Sequence, residues 1–247
     1  AWITACLLST GMVAQAAELK VLTAGAFKPV LLAMQAGFEA RTGHRLRIDN
    51  DTAGALQRRI AAGEAFDVVI SSPASLQALT GRQVAPSPSP VPVARVAIGV
   101  AVMPGRPLPD ISSVAAFQRT LLATPRIALI DPASGGSSGI YLAQLFERWG
   151  LAEQLRPRSV LVQGGLVAQK LVDGSADLAI HQISEILAVP GVQLVGPLPA
   201  EIQNHTTYAA ALAAGSAHKD AAQALMQALQ GGDMAPILRS KGMEPAP

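Results

Sequence analysis

Short apolar runs alternate with longer mixed segments that begin and end at typical helix-boundary residues, and this alternation extends over most of the chain. Runs of strand length occupy residues 19–23, 45–49, 66–72, 94–102, 126–130 and 206–213, and further strands begin near residues 159 and 178. Start and stop signals predict helices over residues 28–42, 55–62, 114–122, 140–149, 166–172 and 219–230. Strands that alternate with helices in this way predict an α/β protein.

Turns of small residues separate four of these strands from the helices that follow them. They cover residues 24–27, 50–54, 131–139 and 162–165, and the third reads Asp-Pro-Ala-Ser-Gly-Gly-Ser-Ser-Gly. The first amides of a helix have no partner within the helix and lie at the positive end of its dipole, so such turns can bind anions. A serine that only caps its helix is the alternative for any single turn. Because the pattern recurs four times, we favour a ligand site where several helix N-termini converge.

Two proline-rich connections divide the chain. Pro86, Pro88, Pro90 and Pro92 interrupt residues 82–92, and a second connection runs from Pro190 to Pro199. Such segments predict extended surface connections and exclude helix or central strand. We expect one lobe from residues 18–92 plus 203–247 and another from residues 93–202, with strand 206–213 returning the chain to the first lobe.

Composition narrows the functional classes. The chain has 247 residues, of which 50% are hydrophobic, enough for one large domain or two lobes. Charged residues make up 15%, the net charge is +2, and aromatic residues are only 4%, so nucleic acid is an unexpected partner. The sequence has no nucleophile elbow, no phosphate-binding loop and no Cys/His metal spacing, and we predict neither a metal nor a cofactor.

The first 17 residues carry no charge and contain the cleavage-type sequence Ala14-Gln15-Ala16, which predicts a signal peptide truncated at its start. We therefore expect a periplasmic protein. Residues 3–6, Ile-Thr-Ala-Cys, also suit a lipoprotein signal with Cys6 as the lipid anchor. We favour simple cleavage, because apolar sequence continues after Cys6.

Five blocks, at residues 19–27, 52–63, 66–72, 131–141 and 164–185, resemble in order and spacing the molybdate-binding-protein group of periplasmic solute receptors. The resemblance extends over nearly the whole chain after residue 17. It implies a type II periplasmic binding protein, with two α/β lobes, two hinge crossovers and a small anion bound between the lobes. It also implies a monomeric receptor that delivers its ligand to the membrane subunits of an ABC importer.

The resemblance also implies the ligand-binding residues. Around the ligand it places Ala26, the Thr52-Ala53 turn, Ser138, the Gly164-Gly165 turn and His181. The same blocks make four further side chains candidates: Phe27 as an apolar wall, Ser71 and Ser137 as hydroxyl donors, and Gln182 as a polar neighbour of His181.

The candidate residues depart from the molybdate pattern. Receptors of that group have a serine at the place of Ala26, serines near residues 52–54 and a tyrosine at the place of His181. Each donor missing from a desolvated oxyanion costs about 1.5–3 kcal/mol, so an organic carboxylate suits this chain at least as well. Lys28, Arg58 and Arg59 could reach such a ligand, although solvent exposure is their default interpretation.

An enzyme is the alternative to a receptor. The chain resembles in general plan aconitate isomerase, a secreted protein on the same fold that moves a proton along a tricarboxylate. Such a reaction needs a positioned acid or base, for which His181 is the best candidate and Glu185 a distant second. A histidine satisfied by a backbone carbonyl is the alternative for His181 itself. A titratable imidazole at the ligand would make binding pH-dependent. We expect Glu185 to start a helix or face solvent, and we favour a receptor over an enzyme.

Overall fold

The computed structural model describes residues 16–79, 83–85 and 90–246. The predicted signal sequence up to Gln15, Cys6, and the prolines at 86 and 88 lie outside the described residues. Within them the chain forms one mixed β-sheet system with helices packed on its faces, as the α/β prediction requires.

Ten strands and ten α-helices follow one another along the described chain. The strands are β1 Glu18–Ala24, β2 Arg45–Asp51, β3 Val68–Ser71, β4 Val91–Val102, β5 Ile127–Ile130, β6 Ser159–Val162, β7 Leu178–Gln182, β8 Gln193–Pro197, β9 His205–Leu212 and β10 Met243–Glu244. The helices are α1 Lys28–Thr42, α2 Ala53–Ala61, α3 Pro73–Gln77, α4 Val114–Ala123, α5 Ser137–Arg148, α6 Ala152–Leu155, α7 Gln169–Val172, α8 Ile183–Leu187, α9 Lys219–Gln230 and α10 Met234–Ser240.

Strand β4 joins the two halves of the sheet, which runs in the order β2-β1-β3-β9-β4-β7-β5-β6. Up to Ala97, β4 pairs with β9, and from Ile98 onward it pairs with β7 and β8. The pairs β1–β2, β1–β3, β5–β6 and β5–β7 are parallel, whereas β4 and β9 pair in the antiparallel sense. One long strand therefore belongs to both halves.

The hydrophobic core divides at the same point of β4. Alternate residues of β1 face opposite sides of the sheet, so Leu19 and Val21 pack with α1 and α9 whereas Leu22 packs with α2. In the second half, Ile98 packs in a cluster that includes residues of α4 and α5, and Ala101 packs in another under α7. Helices cover both faces of each half, which explains the continuous apolar runs in the strands.

Most predicted elements are confirmed, two of them with the predicted bounds. Helix α1 spans residues 28–42 and helix α9 spans residues 219–230, as expected. For α1 the reason is local, because Pro29 suits a first turn and Gly43 takes a left-handed conformation, φ 74°, at the end of the helix. Helix α5 begins at Ser137, three residues before the predicted start. Helix α7 begins at Gln169, three residues after it.

The interpretation of both proline-rich segments as non-strand connections was wrong in part. Val91 and Pro92 belong to β4 and pair with β9, where a β-bulge between Pro92 and Ala94 accommodates the proline. The second connection contains β8, residues 193–197, which pairs with β4 around a register shift at Val100. Irregular pairing lets proline occur beside a central strand.

In the described part of the chain, no helix is long and apolar enough to cross a membrane.

The ion pairs of Glu64 with Lys20 and Arg59 support one prediction about stability. Lys20 Nζ and Arg59 Nε each lie 2.7 Å from an oxygen of Glu64, and the hydrogen bonds from Arg59 and Lys20 lower the pKa of Glu64 to about 2. We expect Glu64→Gln to lower the free energy of unfolding by about 1 kcal/mol at pH 7, the usual scale for partly exposed ion pairs.

This loss should depend on pH in one direction. A carboxylate with a lowered folded-state pKa stabilises the fold above its ordinary pKa of 4.5, and this contribution disappears as the pH falls towards 2. Urea unfolding of both proteins at pH 7 and pH 2.5 measures the difference, with the exposed Glu201→Gln as control. An equal deficit at both pH values would contradict this origin.

Candidate functional site

A small cavity lies where the two halves of the sheet meet, at the ends of strands from both. Its lining comes from the turns after β1, β2, β5 and β6, from β7 and α8, and from β9. These residues are Ala24, Gly25, Ala26, Asn50, Asp51, Thr52, Ala53, Ile130, Gly136, Ser137, Gly165, His181, Glu185 and Tyr208. The volume of this central cavity is about 30 Å³.

Helix starts from both halves meet at this cavity. In the first half, a short 3-10 helix, Gly25–Phe27, precedes α1, and Thr52 caps α2 by accepting a hydrogen bond from the amide of Ala55 at 3.1 Å. In the second half, α5 begins at Ser137 after Gly136, and no side chain of residues 16–79, 83–85 or 90–246 caps it. The free amides of that first turn are hydrogen-bond donors for an anion in the cavity.

A buried polar network holds the Ser137 hydroxyl. Gln182 Nε2 donates to Ser137 Oγ at 3.0 Å and to Thr206 Oγ1 at 2.9 Å, and Thr206 Oγ1 lies 3.2 Å from Ser137 Oγ. Ser137 accepts from these two neighbours, and its hydroxyl also hydrogen-bonds with Tyr208 on the cavity wall. Gln182 Oε1 and Ser71 Oγ are buried without a partner among the described residues.

His181 is the last residue but one of β7 and is buried, with 4% of its surface exposed. Its Nδ1 lies 3.0 Å from the hydroxyl of Ser138 on α5. Its Nε2 lies 3.1 Å from Glu185 Oε2, but the carboxylate is off the axis of the ring nitrogen, so the two atoms do not form a hydrogen bond. One ring nitrogen therefore contacts Ser138, and the other is buried beside Glu185 with no hydrogen-bond partner in the described part of the chain.

Glu185 lies in the first turn of α8, and its side chain is only 8% exposed. The interpretation of Glu185 as a helix-start residue is confirmed, but its interpretation as solvent-facing was wrong. A Cβ added to Gly25 would lie 2.6 Å from Glu185 Oε1, so the backbone after β1 packs directly on the carboxylate. Such packing depends on residues 160 positions away, which the local sequence of α8 does not reveal.

Tyr208 on β9 completes the inner wall. Burial, together with the negative charge of Glu185, raises the pKa of Tyr208, while a hydrogen bond with Ser137 lowers it to a smaller extent. The phenol is therefore neutral over the physiological range and serves as a hydrogen-bonding group rather than a charge.

Direct contacts across the cleft close the outer side of the cavity. Gly54 N donates to the carbonyl oxygen of Gly135 at 3.1 Å, and Thr52 Oγ1 donates to that of Ser134 at 2.6 Å. Arg58 Nη2 donates to the same Ser134 oxygen at 3.3 Å. The start of α2 and the turn before α5 thus form a cross-cleft latch between the two halves.

The structure brings six of the predicted site residues to the cavity wall: Ala26, Thr52, Ala53, Ser137, Gly165 and His181. The other five lie beside it. The Ser138 hydroxyl forms a hydrogen bond with His181, and the Gln182 amide donates one to Ser137. Gly164 precedes Gly165, and Ser71 is buried at the end of β3. Phe27 is fully buried in the core with α1 and does not form the expected apolar wall. Contact with a ligand stays a prediction for all of them.

Asn50, Asp51 and Tyr208 were missed from the sequence. Asn50 Oδ1 accepts from Lys28 Nζ at 2.7 Å, which holds one cation near the cavity. Arg59 was expected in solvent, but its guanidinium contacts Asp49, Asp51 and Glu64. A polar pair at the end of a strand, like Asn50-Asp51 at the end of β2, is the signal that would have indicated this wall.

In the described ranges, no group of three or more His, Cys, Asp or Glu side chains is arranged to bind a metal.

A mixed sheet whose longest strand passes between two halves, with a cavity between them, defines a solute-binding fold of the two-lobed kind. Residues 19–244 match the family described as bacterial extracellular solute-binding protein, and the chain belongs to that family.

The relatives of the chain include an enzyme and two binding proteins. Aconitate isomerase from a Pseudomonas species is 33% identical over 235 residues, which cover 93% of this chain and 88% of the enzyme. The periplasmic molybdate-binding protein of Azotobacter vinelandii is 22% identical with a TM-score of 0.76, covering 91% of this chain and 98% of its own. The sulfate-binding protein SubI of Mycobacterium tuberculosis is 18% identical with a TM-score of 0.73, covering 93% and 87%. The two structures establish the shared fold.

Proposed function

We propose that the protein is a periplasmic receptor that binds a small anion in the central cavity. The observation that carries this proposal is the meeting, at one cavity, of the uncapped start of α5 with the 3-10 turn at Gly25 and the Thr52 turn. These groups belong to opposite halves of the sheet. An anion bound to all of them joins the halves, so binding is coupled to closure.

The proposed lobes are residues 18–92 plus 203–247 and residues 93–202, hinged where β4 passes between its two sets of partners. The latch at Thr52, Gly54 and Ser134 supports closure as the ligand-bound state. A receptor of this kind acts with a membrane partner, and we propose the membrane subunits of an ABC importer. The extracellular family of the chain supports this assignment. We further propose that the receptor acts as a monomer and reaches the periplasm through the signal sequence predicted in residues 1–17.

The lining favours an organic carboxylate over a compact inorganic dianion. Glu185 faces the cavity without an Arg or Lys partner among the described residues and repels a concentrated negative charge, and Ala26 offers no hydroxyl to compensate. A carboxylic acid places its charges at its ends, where the amides at the start of α5 and the Lys28–Asn50 pair lie. Its carbon skeleton can contact Ala26 and Ile130. The 33% identical relative is named for a tricarboxylate.

Thermal unfolding of the purified protein tests this proposal. The ligands are molybdate, tungstate, sulfate, phosphate, citrate, cis-aconitate and trans-aconitate, and we expect the tricarboxylates to stabilise the protein. A ligand at 100 times its Kd adds about 2.7 kcal/mol, which raises Tm by roughly 5–10 °C in a chain of this size. Ser137→Ala should reduce the shift, and the exposed Glu201→Gln should leave it unchanged. A panel in which no anion raises Tm would refute the receptor.

A second candidate function is isomerisation of the bound tricarboxylate. A receptor that only binds and releases its ligand needs no buried acid–base pair, but the cavity contains such a pair in His181 and Glu185. Aconitate isomerase in the family supports the same candidate. An assay for interconversion of cis- and trans-aconitate separates this enzyme from a receptor that only binds.

A further inference from the structure

We propose that Glu185 is a catalytic base that takes a proton from a carbon atom of a bound unsaturated carboxylic acid and returns it to a second carbon. The inference rests on the proposed binding of a carboxylate in the central cavity and goes beyond it by assigning chemistry to one side chain. Its basis is the setting of Glu185, which differs from that of the other carboxylate in the wall.

Asp51 is already neutralised by the protein. Its Oδ1 accepts from the amide of Thr52 at 2.8 Å, and its Oδ2 faces Arg59 Nη1 at 3.4 Å. Glu185 has no such cation, because among the described residues its ion-pair contact is with His181 alone. A buried carboxyl group without an Arg or Lys partner is costly to the fold, and its presence at the cavity indicates a use in the chemistry.

His181 lines the cavity with its Nδ1 beside Ser138 and its Nε2 beside Glu185. In the tautomer in which the Ser138 hydroxyl donates to Nδ1, the ring proton is on Nε2, which is buried and has no hydrogen-bond partner among the described residues. That N–H can donate to a carboxylate of the ligand while Glu185 faces the neighbouring carbon. In this arrangement His181 stabilises the negative charge that develops when the carbon loses its proton, and Ser138 is a positioning residue.

The proposed step is a proton shift along three carbons. Glu185 removes a proton from a carbon that lies between a carboxylate and a carbon–carbon double bond. The electron pair of the broken C–H bond spreads over the three-carbon unit and into the carboxylate. Glu185 then returns the same proton to the far carbon, a new C–H bond forms, and the double bond moves by one position. Atoms and electrons balance, and Glu185 ends as it began, so the step needs no further reactant.

The closed cleft suits this step. The latch contacts of Thr52 and Gly54 with the turn before α5 span the cleft beside the cavity, and the same closure over a bound ligand would limit its access to bulk solvent. A proton held by Glu185 is therefore returned to the ligand more readily than to solvent.

Proton NMR of cis- and trans-aconitate incubated with the purified protein in D₂O tests the assignment. We expect the wild-type protein to interconvert the isomers and to introduce some deuterium at carbon. Glu185→Gln should lower the rate at least about 100-fold while retaining the ligand-induced rise in Tm. Glu201→Gln, on an exposed residue of the same type, should retain the wild-type rate. Glu185→Asp, which keeps the charge but moves it by one methylene, should also be slow, and it serves if the glutamine variant fails to fold.

Ser138→Ala tests the positioning role through the pH profile. We expect a lower kcat and a displaced pH–rate profile, because the ring loses its fixed tautomer, and Ser138→Thr should restore both. A role in folding alone would leave the profile in place.

The outcomes distinguish this inference from the receptor itself. Stabilisation by aconitate without interconversion or exchange overturns the catalytic assignment and leaves the receptor standing. Stabilisation by molybdate or tungstate alone does the same. A Glu185→Gln variant within about twofold of the wild-type rate also overturns it. If no anion of the panel stabilises the protein, the proposed receptor function is refuted, and the catalytic assignment that rests on it is refuted with it.

Discussion

Gly54→Ala is expected to weaken ligand binding about 10- to 100-fold without lowering the free energy of unfolding of the unliganded protein. A Cβ on Gly54 would lie 2.8 Å from Gly135 Cα and 3.3 Å from its carbonyl oxygen. Both are backbone atoms, so the cleft cannot close fully without a shift. Overlap of this kind costs about 1–3 kcal/mol, which corresponds to one or two powers of ten in Kd.

The unliganded protein should respond in the opposite sense. Gly54 lies inside α2, where alanine is favoured over glycine by roughly 0.5–1 kcal/mol. An open cleft has no latch contact to lose, so its stability should stay the same or rise. Calorimetric titration with the best anion of the panel measures affinity, and urea unfolding measures stability. Gly37→Ala in α1, remote from the latch, is the matched control. Unchanged affinity in Gly54→Ala would mean that the contact across the cleft is not part of the bound state.

Local sequence sufficed for elements whose ends carry their own signals. Pro29 at the start of α1 and the left-handed Gly43 after its end define that helix from neighbouring residues alone. The same holds for the buried strands, whose apolar runs are continuous because helices cover both faces. Strand β8 and the first residues of β4 could not be predicted in this way. Their pairing depends on partners about 100 positions distant and on bulges that admit proline.

The residues of the candidate site also differ in whether local sequence could predict them. Ser137 and His181 could be inferred because small-residue turns and strand ends are visible in the sequence. Burial of Glu185 could not, since it requires Gly25, His181 and Tyr208 to approach from three separate segments. Phe27 was misplaced for a related reason. Only the packing of α1 on the sheet decides whether a residue at the end of a cleft turn faces the ligand or the core.

The glycines after β5 also have a physical role that the sequence did not reveal. The turn that contains them was expected to bind an anion, yet Gly135 and Gly139 allow other parts of the chain to approach closely. Gly135, at φ 83°, meets Gly54 across the cleft. Gly139 meets the end of β5, where an added Cβ would lie 2.3 Å from the carbonyl oxygen of Ile130. The same motif therefore determines how close α5 lies to the sheet.

Gly139→Ala is accordingly expected to lower the free energy of unfolding by about 3 kcal/mol. The added methyl group would overlap the carbonyl oxygen and Cγ2 of Ile130, and the oxygen belongs to a buried strand that cannot move aside. Overpacking of a core by one carbon typically costs 1–3 kcal/mol, and an unyielding backbone atom places this site at the upper end. In a chain of this size Tm should fall by roughly 6–12 °C.

The sign of the change is what makes the measurement decisive. On helix propensity alone, alanine at Gly139 would stabilise α5 by up to about 1 kcal/mol, so packing and propensity predict opposite results. Urea unfolding at pH 7 measures the difference in the free energy of unfolding. Gly37→Ala is the control, because a Cβ at Gly37 in α1 would contact the side chain of Arg41 and no backbone atom of the sheet. A Gly139→Ala protein as stable as the wild type would show that α5 can move away from β5. In that case the positions of Ser137 and Ser138, and through them that of His181, would not be fixed by packing.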